Sequence, residues 1–489
     1  MDRSDDLFSN AITGFPEPML ISDPSMAEHY LAEERKLFRS SPLAILAPRS
    51  TSEVADAVNI CRARGLKIVT QGGNTGLCGG AVADGVRREV ILSTLRLPKE
   101  AEIDPVEQTG VFSASMTIAE AKAAAREWNL DLPISYGSEG TATIGGGLAT
   151  NAGGMDAIRY GTTRDLVRGV EVVLPDGSLL DLMNGLQKDN TGYDLRSLFI
   201  GSEGTLGIIT RARMQLVPFI SHRSTALIPV DSMTKALTVL SACREKLGHG
   251  LLRLECMSRA AFDLTLRYFP DIASPVEHPS EWLLFIEAGL PNRDLSGDLL
   301  ELLEELFDQG LAIDGAISQS SVQSAEIWRI REMIIEAQKL DGASIKHDIS
   351  VPVAKLPAFL EAASKVVDAI VPGARPVPFG HLGDGNIHYN VQKPHEYQDE
   401  AFLATWDKMA DRVHALAVEY GGSFSAEHGI GQLKLHDMER FKSAVALGVM
   451  RQIKQALDPH NLLNPGKVLP ELADPESGTR MSESQSPTV

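Results

Sequence analysis

The position of the glycines restricts the fold of this 489-residue chain more than any other feature. Five of the nine residues from Gly72 to Gly80 are glycine, ten more lie between Gly137 and Gly177, and a third cluster spans Gly201–Gly207. Glycine allows a backbone or a ligand to approach where a Cβ atom would collide. Tight turns explain a single cluster equally well. Three clusters together favour loops that surround one long cofactor, because successive N–H groups in such turns bind anions.

These clusters lack the standard nucleotide-binding patterns. The first cluster does not contain G-x-G-x-x-G in any register, and no helical pattern opens directly after it. A Rossmann dinucleotide site is therefore disfavoured. The pattern G-x-x-x-x-G-K-[ST] is also absent, which argues against a nucleotide triphosphatase.

Around the clusters, the spacing of apolar residues predicts both helices and strands. Ser50 and Glu53 have the spacing of a capping box before a helix that ends at Gly65. Thr117 and Glu120 repeat this spacing before an alanine-rich helix. Strands are predicted over 66–70, 89–95 and 169–174, and residues 135–161 are predicted to form the longest irregular region.

Glycine density falls near residue 218, and long helical patterns over 298–310 and 325–340 take its place. We therefore expect an α+β protein with a first domain over 1–218, whose core spans about 40–218, and a second domain over 219–470. The stretch 371–391 is strand-like. The tail, 471–489, is rich in Ser, Pro, Glu and Thr without apolar periodicity, which predicts disorder.

Composition excludes several classes of protein. The 46 basic and 65 acidic side chains give a net charge of −19, which argues against a nucleic-acid partner. No run approaches the roughly 20 apolar residues of a bilayer crossing, and the N-terminus resembles neither a secretory signal nor a transit peptide, so we expect a cytoplasmic protein. The four cysteines include no C-x-x-C pair, so neither a zinc ribbon nor a disulfide framework is indicated.

Histidine is concentrated near the C-terminus, where seven of twelve fall within the final 110 residues. His381 and His388 are seven residues apart and would lie on opposite faces of a regular strand. A turn at Gly383–Gly385 would bring them together. With Glu427 as a third ligand they would form a metal site that keeps one position open. Alternatively, each histidine is an ordinary hydrogen-bonded structural residue.

The motifs also carry a resemblance to a known family. The glycine-rich motifs resemble the flavin-binding domain of the vanillyl-alcohol-oxidase type flavoproteins; they are Gln71–Gly76, Thr143–Gly147, Asn151–Gly154, Arg159–Gly161 and Gly201–Ile209. The C-terminal motifs are similar to those of its D-2-hydroxy-acid dehydrogenase branch, especially the D-2-hydroxyglutarate dehydrogenases; they are Gly380–His388, Glu427–Gly431 and Asn464–Lys467. The match runs from about residue 40 to 470.

The resemblance implies a two-lobed FAD-binding domain followed by an α+β substrate or cap domain. The implied FAD-binding residues are Gly72, Gly73, Asn74, Thr75, Gly76, Leu77, Gly137, Ser138, Thr143, Gly145, Gly146, Asn151, Gly153, Gly204, Ile209 and Asn464. Some relatives link the flavin covalently to a histidine in the first glycine loop. This loop has Asn74 and no histidine, so we expect a noncovalent flavin, with Cys78 as a small buried residue rather than a thioether.

The resemblance also assigns the chemistry of the C-terminal half. It implies that His381, His388 and Glu427 bind a divalent metal, commonly zinc, although Mn²⁺ and Co²⁺ suit the same ligands. It implies that His428 is the base, a role that suits a side chain with an ordinary pKa of ~6.5. The alternative for His428 is a histidine that caps a turn.

For the substrate, the resemblance implies that Arg331 and Lys346 bind a distal carboxylate and that Asn390 holds the other carboxylate. A guanidinium pairs a carboxylate through two bonds and a lysine adds a point charge, which favours a dicarboxylate. Both residues could instead be solvated surface charges. Ile335 occupies a position where the hydroxyglutarate enzymes have a hydroxyl side chain, so D-malate and D-lactate remain alternatives to D-2-hydroxyglutarate.

The resulting hypothesis is oxidation of a D-2-hydroxy acid to the 2-oxo acid, with hydride passing to flavin N5. Because no nicotinamide motif is present, we expect the electron acceptor to be an electron-transfer flavoprotein or a quinone-linked carrier. The resemblance also implies a homodimer. Two other classes stay open at this point, a zinc hydrolase with structural glycine loops and a non-catalytic flavin-binding module.

Overall fold

The computed structural model describes residues 14–471, which form two compact units. The first unit contains 14–153, 162–218 and 427–471, and the second contains 154–161 and 219–426. The chain changes unit after Pro218, where glycine density falls. It returns to the first unit at Glu427, inside the stretch that the sequence assigns to the second domain. The predicted disordered tail lies outside the described residues from 472 onward.

The first unit contains two principal sheets. Its strands are β1 (Ile45–Leu46), β2 (Lys67–Gln71), β3 (Glu89–Ser93), β4 (Ala101–Asp104), β5 (Thr109–Ser113), β6 (Leu130–Asp131), β7 (Val167–Val173), β8 (Leu179–Asp181), β9 (Ile208–Gln215) and β10 (Val217–Pro218). A parallel sheet has the order β1-β3-β2, and an antiparallel sheet has the order β4-β5-β9-β7-β8. A separate antiparallel pair joins β10 to β6.

The predicted helices of this unit begin at their expected caps. The Glu53 N–H donates to Ser50 Oγ at 3.1 Å, and Thr117 and Glu120 form the complete capping box. The α-helices are Pro24–Leu31, Thr51–Ala63, Ile118–Arg126, Ile144–Thr150, Thr163–Leu166, Arg196–Phe199, Leu435–Phe441 and Ala444–Leu457, and Glu17–Met19 is a 3₁₀ turn. The prediction of an irregular region over 135–161 was wrong, because Thr143 caps the helix Ile144–Thr150 despite its three glycines.

One large antiparallel sheet organises the second unit. Its strands are β11 (Arg223–Val230), β12 (Leu251–Ser258), β13 (Trp282–Gly289), β14 (Ala316–Ile317), β15 (Ser344–Ile345), β16 (Asp348–Ser350), β17 (Arg375–His381) and β18 (Asn386–Gln392). The order is β14-β11-β13-β12-β17-β18-β15, and β16 also pairs with β18.

Helices cover both faces of this sheet. Along β13, Leu284 and Ile286 belong to one buried cluster, whereas Leu283 and Phe285 belong to another. This alternation follows from the period of two in a strand. The helices are Ala157–Tyr160, Met233–Leu247, Arg259–Tyr268, Ser296–Asp308, Ser321–Glu332, Ile334–Asp341, Leu356–Ile370, Asp399–Leu403 and Trp406–Glu419, with 3₁₀ turns at Gly248–Gly250 and Val353–Lys355.

Two features of the helices bear on the sequence predictions. The single helix predicted over 325–340 is wrong, because the chain forms two helices that meet at Met333. Arg331 and Ile335 therefore do not lie one turn apart on a continuous helix. Within residues 14–471, no helix combines the length and the apolar character that a membrane crossing requires. The mixture of sheets and helices in both units confirms the α+β class.

Candidate active site

The first glycine cluster leaves β2 and packs against the segment that opens the helix Ile144–Thr150. A Cβ atom at Gly72 would lie 2.5 Å from Thr143 Oγ1, and one at Gly73 would lie 2.0 Å from the Thr141 carbonyl oxygen. These two glycines are therefore required by the chain's own packing. At Gly76 and Gly137, by contrast, a Cβ would meet no described atom within 4 Å. Both positions are exposed, so their backbone is open to contact by a ligand.

The structure places every sequence-predicted FAD-binding residue in the first unit. Asn74 has a φ of +55° and its amide donates to the Ala32 carbonyl oxygen at 2.6 Å. Among the described residues, the buried Tyr136 hydroxyl has no hydrogen-bond partner and lies beside Gly147. A polar ligand in this region would satisfy that hydroxyl. The exposed glycine backbone and this hydroxyl fit a large polar cofactor.

Asn464 connects the third glycine cluster to the first sheet. Its Oδ1 accepts from the Thr70 N–H at 2.8 Å, and its Nδ2 donates to the Glu203 carbonyl oxygen at 2.7 Å. The side chain is 2% exposed. Gly204, at a φ of +73°, packs against the same amide. Asn464 therefore fixes the end of β2 relative to the third cluster.

The loop that carries Glu427 and His428 is held by the first and third glycine clusters. The N–H groups of Ile430 and Gly431 donate to Glu203 Oε1 and Oε2 at 2.7 and 2.8 Å. The Cys78 carbonyl oxygen accepts from the N–H groups of residues 432 and 433 at 3.0 and 3.2 Å. Cys78 is 2% exposed. Segments far apart in sequence thus determine the path of this loop.

Glu203 and Gly153 both lie beside this loop. A Cβ at Gly153 would lie 3.0 Å from Glu427 Oε1, and a Cβ at Gly429 would lie 2.7 Å from Glu203 Oε1. Burial raises the pKa of the Glu203 carboxyl above its ordinary value, although the N–H groups of Ile430 and Gly431 act in the opposite direction. Sequence reasoning missed Glu203, although it belongs to a motif that the resemblance used.

In the second unit, the β17–β18 hairpin brings the two predicted histidine ligands together. β17 ends at His381 and β18 begins at Asn386, so the predicted turn does join them. The register places Phe379 opposite His388, and the two histidine rings lie 5.7 Å apart between centroids. The turn therefore places the two imidazole rings next to each other.

Glu255 on β12 joins His381 to Arg331. Its Oε1 lies 2.5 Å from His381 Nδ1, and its Oε2 accepts from Arg331 Nε and Nη2 at 3.2 and 3.0 Å. Glu255 is 1% exposed on its side chain. Burial acts to raise the pKa of Glu255, but the charges of His381 and Arg331 outweigh it, so that pKa lies below its ordinary value. Sequence reasoning missed Glu255 because nothing local marks it.

Asp348 is a second carboxylate that sequence reasoning missed. It pairs with His388 across β16 and β18, and its Oδ1 lies 3.8 Å from His388 Nδ1. The same oxygen accepts from Asn386 Nδ2 at 3.0 Å. The Ala426 N–H donates to the Asp348 carbonyl oxygen at 3.3 Å, and Glu427 is the next residue in the chain. Asp348 becomes a candidate ligand because β16 pairs with β18 in a register that places it opposite His388, and the sequence alone does not predict this register.

The predicted substrate residues also lie in the second unit. Arg331 is 8% exposed, stacks 4.5 Å from the Phe379 ring and uses two of its five donors on Glu255. It is therefore not a solvated surface charge. Asn390 is buried and donates to Gln338 Oε1 at 2.9 Å. Lys346 is half-buried between β15 and β16, and Ile335 is 45% exposed.

Two sequence families match the chain in consecutive segments. Residues 42–183 match the FAD binding domain family, and residues 220–468 match the family described as FAD linked oxidases, C-terminal domain. The second match alone covers more than half of the chain.

Curated relatives match nearly the whole chain. It is 37% identical to a D-2-hydroxyglutarate dehydrogenase of Xanthomonas citri pv. viticola, over 93% of this chain and 94% of that protein. It is 34% identical to one of Stutzerimonas stutzeri, over 92% and 96%, and 34% identical to the mitochondrial protein of Rattus norvegicus, over 93% and 83%.

Solved structures extend the likeness at the level of the fold. The similar structures include p-cresol methylhydroxylase, with a TM-score of 0.71, 15% identity and coverage of 95% of this chain and 96% of that one. Alkyldihydroxyacetonephosphate synthase has a TM-score of 0.69 at 18% identity, covering 94% and 84%. At these identities the likeness concerns the fold, which is that of the vanillyl-alcohol-oxidase type flavoproteins.

Proposed function

Because this chain belongs to the FAD-linked dehydrogenase family that includes the D-2-hydroxyglutarate dehydrogenases, we propose that it oxidises D-2-hydroxyglutarate to 2-oxoglutarate. Family membership makes it an FAD-dependent dehydrogenase, which decides against a zinc hydrolase or a non-catalytic flavin module. The observation that best supports the proposal is that the Glu255 carboxylate contacts two candidate site residues. These are His381, a candidate metal ligand, and Arg331, a candidate group for binding the substrate carboxylate.

Noncovalent FAD is proposed to occupy the first unit. The exposed backbone at Gly76 and Gly137 and the buried Tyr136 hydroxyl support this placement. When bound, FAD supplies a two-electron acceptor for the hydride that leaves C2 of the substrate. The glycine clusters contribute close backbone approach, and Asn464 keeps the first and third of them in a fixed relation.

A divalent metal is proposed to be held by His381, His388 and Glu427, with Asp348 as a further candidate. Two imidazoles and carboxylates form a donor set that suits zinc, manganese or cobalt. When bound, such a metal polarises the substrate hydroxyl and lowers its pKa. Since Glu255 engages His381 through Nδ1, Nε2 is the ring nitrogen that suits a metal bond.

His428 is proposed to take the hydroxyl proton while hydride leaves C2, so that the two-electron oxidation is balanced. Arg331 and Lys346 bind the distal carboxylate of the substrate, and Asn390 binds the carboxylate beside the reacting carbon. Gln338 fixes the Asn390 amide through the bond to its Oε1. These roles follow from the donor chemistry of each group.

Ile335 supports D-malate or D-lactate as a second candidate substrate. Its apolar side chain cannot supply the hydroxyl that the resemblance places at this position. The shorter acids need less contact with this part of the second unit. The electron acceptor is proposed to be an electron-transfer flavoprotein or a quinone-linked carrier, and a homodimer and a cytoplasmic location remain predictions.

The decisive experiment is anaerobic bleaching of the flavin by D-2-hydroxyglutarate, D-malate and D-lactate in turn. Rapid bleaching by D-2-hydroxyglutarate at the lowest concentration is expected, and preference for a shorter acid would transfer the assignment to that acid. His428→Ala should retain its flavin and lose reduction by at least a hundredfold, as expected when a general base is removed. Normal reduction in that variant would refute the role of His428.

A further inference from the structure

The carboxylate of Glu203 makes two separate hydrogen bonds to one loop. Oε1 accepts from the Ile430 N–H and Oε2 from the Gly431 N–H, at 2.7 and 2.8 Å. Each oxygen therefore fixes one peptide group, so the loop is held in rotation as well as in position. The contacts span 227 and 228 residues of sequence. Both N–H groups lie within three residues of His428.

The backbone of the loop matches this arrangement. Gly429 and Gly431 have φ values of +74° and +52°, which are unfavourable for residues with a side chain. A Cβ at Gly431 would lie 1.9 Å from the Cys78 carbonyl oxygen. The loop is therefore pressed between the first glycine cluster and Glu203, and neither glycine can be replaced without displacing a neighbour.

The backbone of Glu203 is itself held by a hydrogen bond from Asn464. Its φ is +50°, and its carbonyl oxygen accepts from Asn464 Nδ2 at 2.7 Å. A positive φ is a strained backbone conformation for a residue with a side chain, so it persists only where the surroundings hold it. Glu203 is partly buried, and both of its carboxylate oxygens contact the 430–431 peptides. This geometry is that of a fixed support for the loop.

We propose that Glu203 is a positioning residue for His428. The side chain holds the loop that follows His428, so the imidazole is already in place for proton transfer before substrate binds. This inference rests on the proposed role of His428 as the base. The third glycine cluster would then have two functions, to bind the flavin and to orient the base.

The test compares Glu203→Gln with a matched control, Asp314→Asn. The glutamine keeps the side-chain volume but sets an NH₂ group against one of the two backbone donors. Asp314 also accepts backbone N–H bonds, from Glu277, His278 and Gly315 at 2.7 Å each, in a segment without any candidate site residue. Both variants thus lose one carboxylate that holds a loop.

For Glu203→Gln we expect kcat to fall about 10- to 100-fold, since a misplacement of about 1 Å can cost 10²-fold. KM should change less than threefold, and flavin content should equal that of the wild type. Hydrogen exchange of the peptide covering 428–433 should accelerate. Asp314→Asn should leave kcat and this exchange unchanged.

Three results would overturn the proposal: kcat within twofold of wild type, unchanged exchange over 428–433, or loss of flavin from Glu203→Gln. Loss of flavin would make Glu203 a cofactor residue instead of a support for His428. If the wild-type flavin is not bleached by any D-2-hydroxy acid, the proposed function fails. The exchange measurement still decides whether Glu203 holds the loop.

Discussion

Replacing Glu255 by glutamine tests whether one buried carboxylate serves both the metal site and the substrate site. The change preserves the shape of the side chain but removes its charge. It leaves the Arg331 guanidinium, 8% exposed, without its anionic partner. It also replaces the acceptor that fixes the Nδ1 side of His381. Both effects follow from one substitution, but separate measurements report them.

The stability effect should be large because both partners are buried. Removing one member of a buried ion pair costs about 3–5 kcal/mol. For a unit of roughly 200 residues, each kcal/mol lowers Tm by about 2–4 °C. We therefore expect the melting transition of the second unit to fall by roughly 6–20 °C. Loss of a group that orients a metal-binding histidine weakens metal affinity about 10- to 100-fold.

Glu287 on the neighbouring strand provides the matched control. It is 4% exposed and lies 3.3 Å from Arg223 and 3.4 Å from Arg253. Arg253 keeps a second partner, Asp156, at 2.7 Å. Glu287→Gln should therefore lower the free energy of unfolding by about 1–3 kcal/mol, and metal affinity should stay unchanged.

The assay measures metal content by mass spectrometry after dialysis against graded chelator, beside thermal unfolding of the same samples. Zinc should leave Glu255→Gln at a lower chelator concentration than it leaves Glu287→Gln or wild type. If all three proteins lose zinc together, Glu255 does not orient a metal ligand. If Glu255→Gln has the same Tm as the wild type, the buried ion pair contributes nothing to stability and the expected loss of about 3–5 kcal/mol is wrong.

Three further predictions concern substrate recognition, the loop that carries His428, and pH. Arg331→Lys should raise KM for D-2-hydroxyglutarate about tenfold, because a lysine cannot replace the paired hydrogen bonds of the planar guanidinium. KM for D-lactate, which has no distal carboxylate, should not change. Equal changes in both KM values would contradict binding of the distal carboxylate by Arg331. Gly431→Ala should lower Tm and kcat because the new Cβ would collide with the Cys78 carbonyl oxygen. The control, Gly448→Ala, lies in a helix with open space beside it and should raise the free energy of unfolding by about 0.5–1 kcal/mol. Unchanged Tm and kcat in Gly431→Ala would contradict the tight packing of the loop. Burial raises the pKa of Glu89 from 4.5 to about 7, so the folded state binds the proton more tightly than the unfolded state does. The free energy of unfolding should therefore fall as pH rises from 4.5 to 7, by up to roughly 3 kcal/mol. Chemical denaturation of Glu89→Gln should show a flatter pH dependence than that of the wild type.

Local signals predicted much of the fold. Thr117 with Glu120 is a capping box, and the turn between His381 and His388 depends on residues adjacent in sequence. The helix Ile144–Thr150 escaped prediction because three glycines have a poor helix propensity. Tertiary packing overrides that propensity, since a Cβ at Gly145 would lie 2.8 Å from the Ala114 side chain.

The residues that support the candidate site were harder to predict because their partners are distant in sequence. Glu255 contacts His381 across 126 positions, and Glu203 contacts Ile430 across 227. No local period or motif encodes such a pair. The break at Met333 was likewise invisible, because apolar residues on both sides continue the helical pattern. Sequence thus indicated which groups have the right chemistry, and the fold determines how they are held.

The contact between Glu255 and Arg331 changes how an anionic substrate can be attracted. The chain carries a net charge of −19, so its overall field repels a dicarboxylate. Arg331 cannot offset this repulsion as a full positive charge, because the buried Glu255 carboxylate already neutralises it. Its remaining N–H groups can still direct a carboxylate through hydrogen bonds. Under the proposed function, the attraction would therefore come from the metal and from Lys346, and Arg331 would select among the acids by the geometry of its hydrogen bonds.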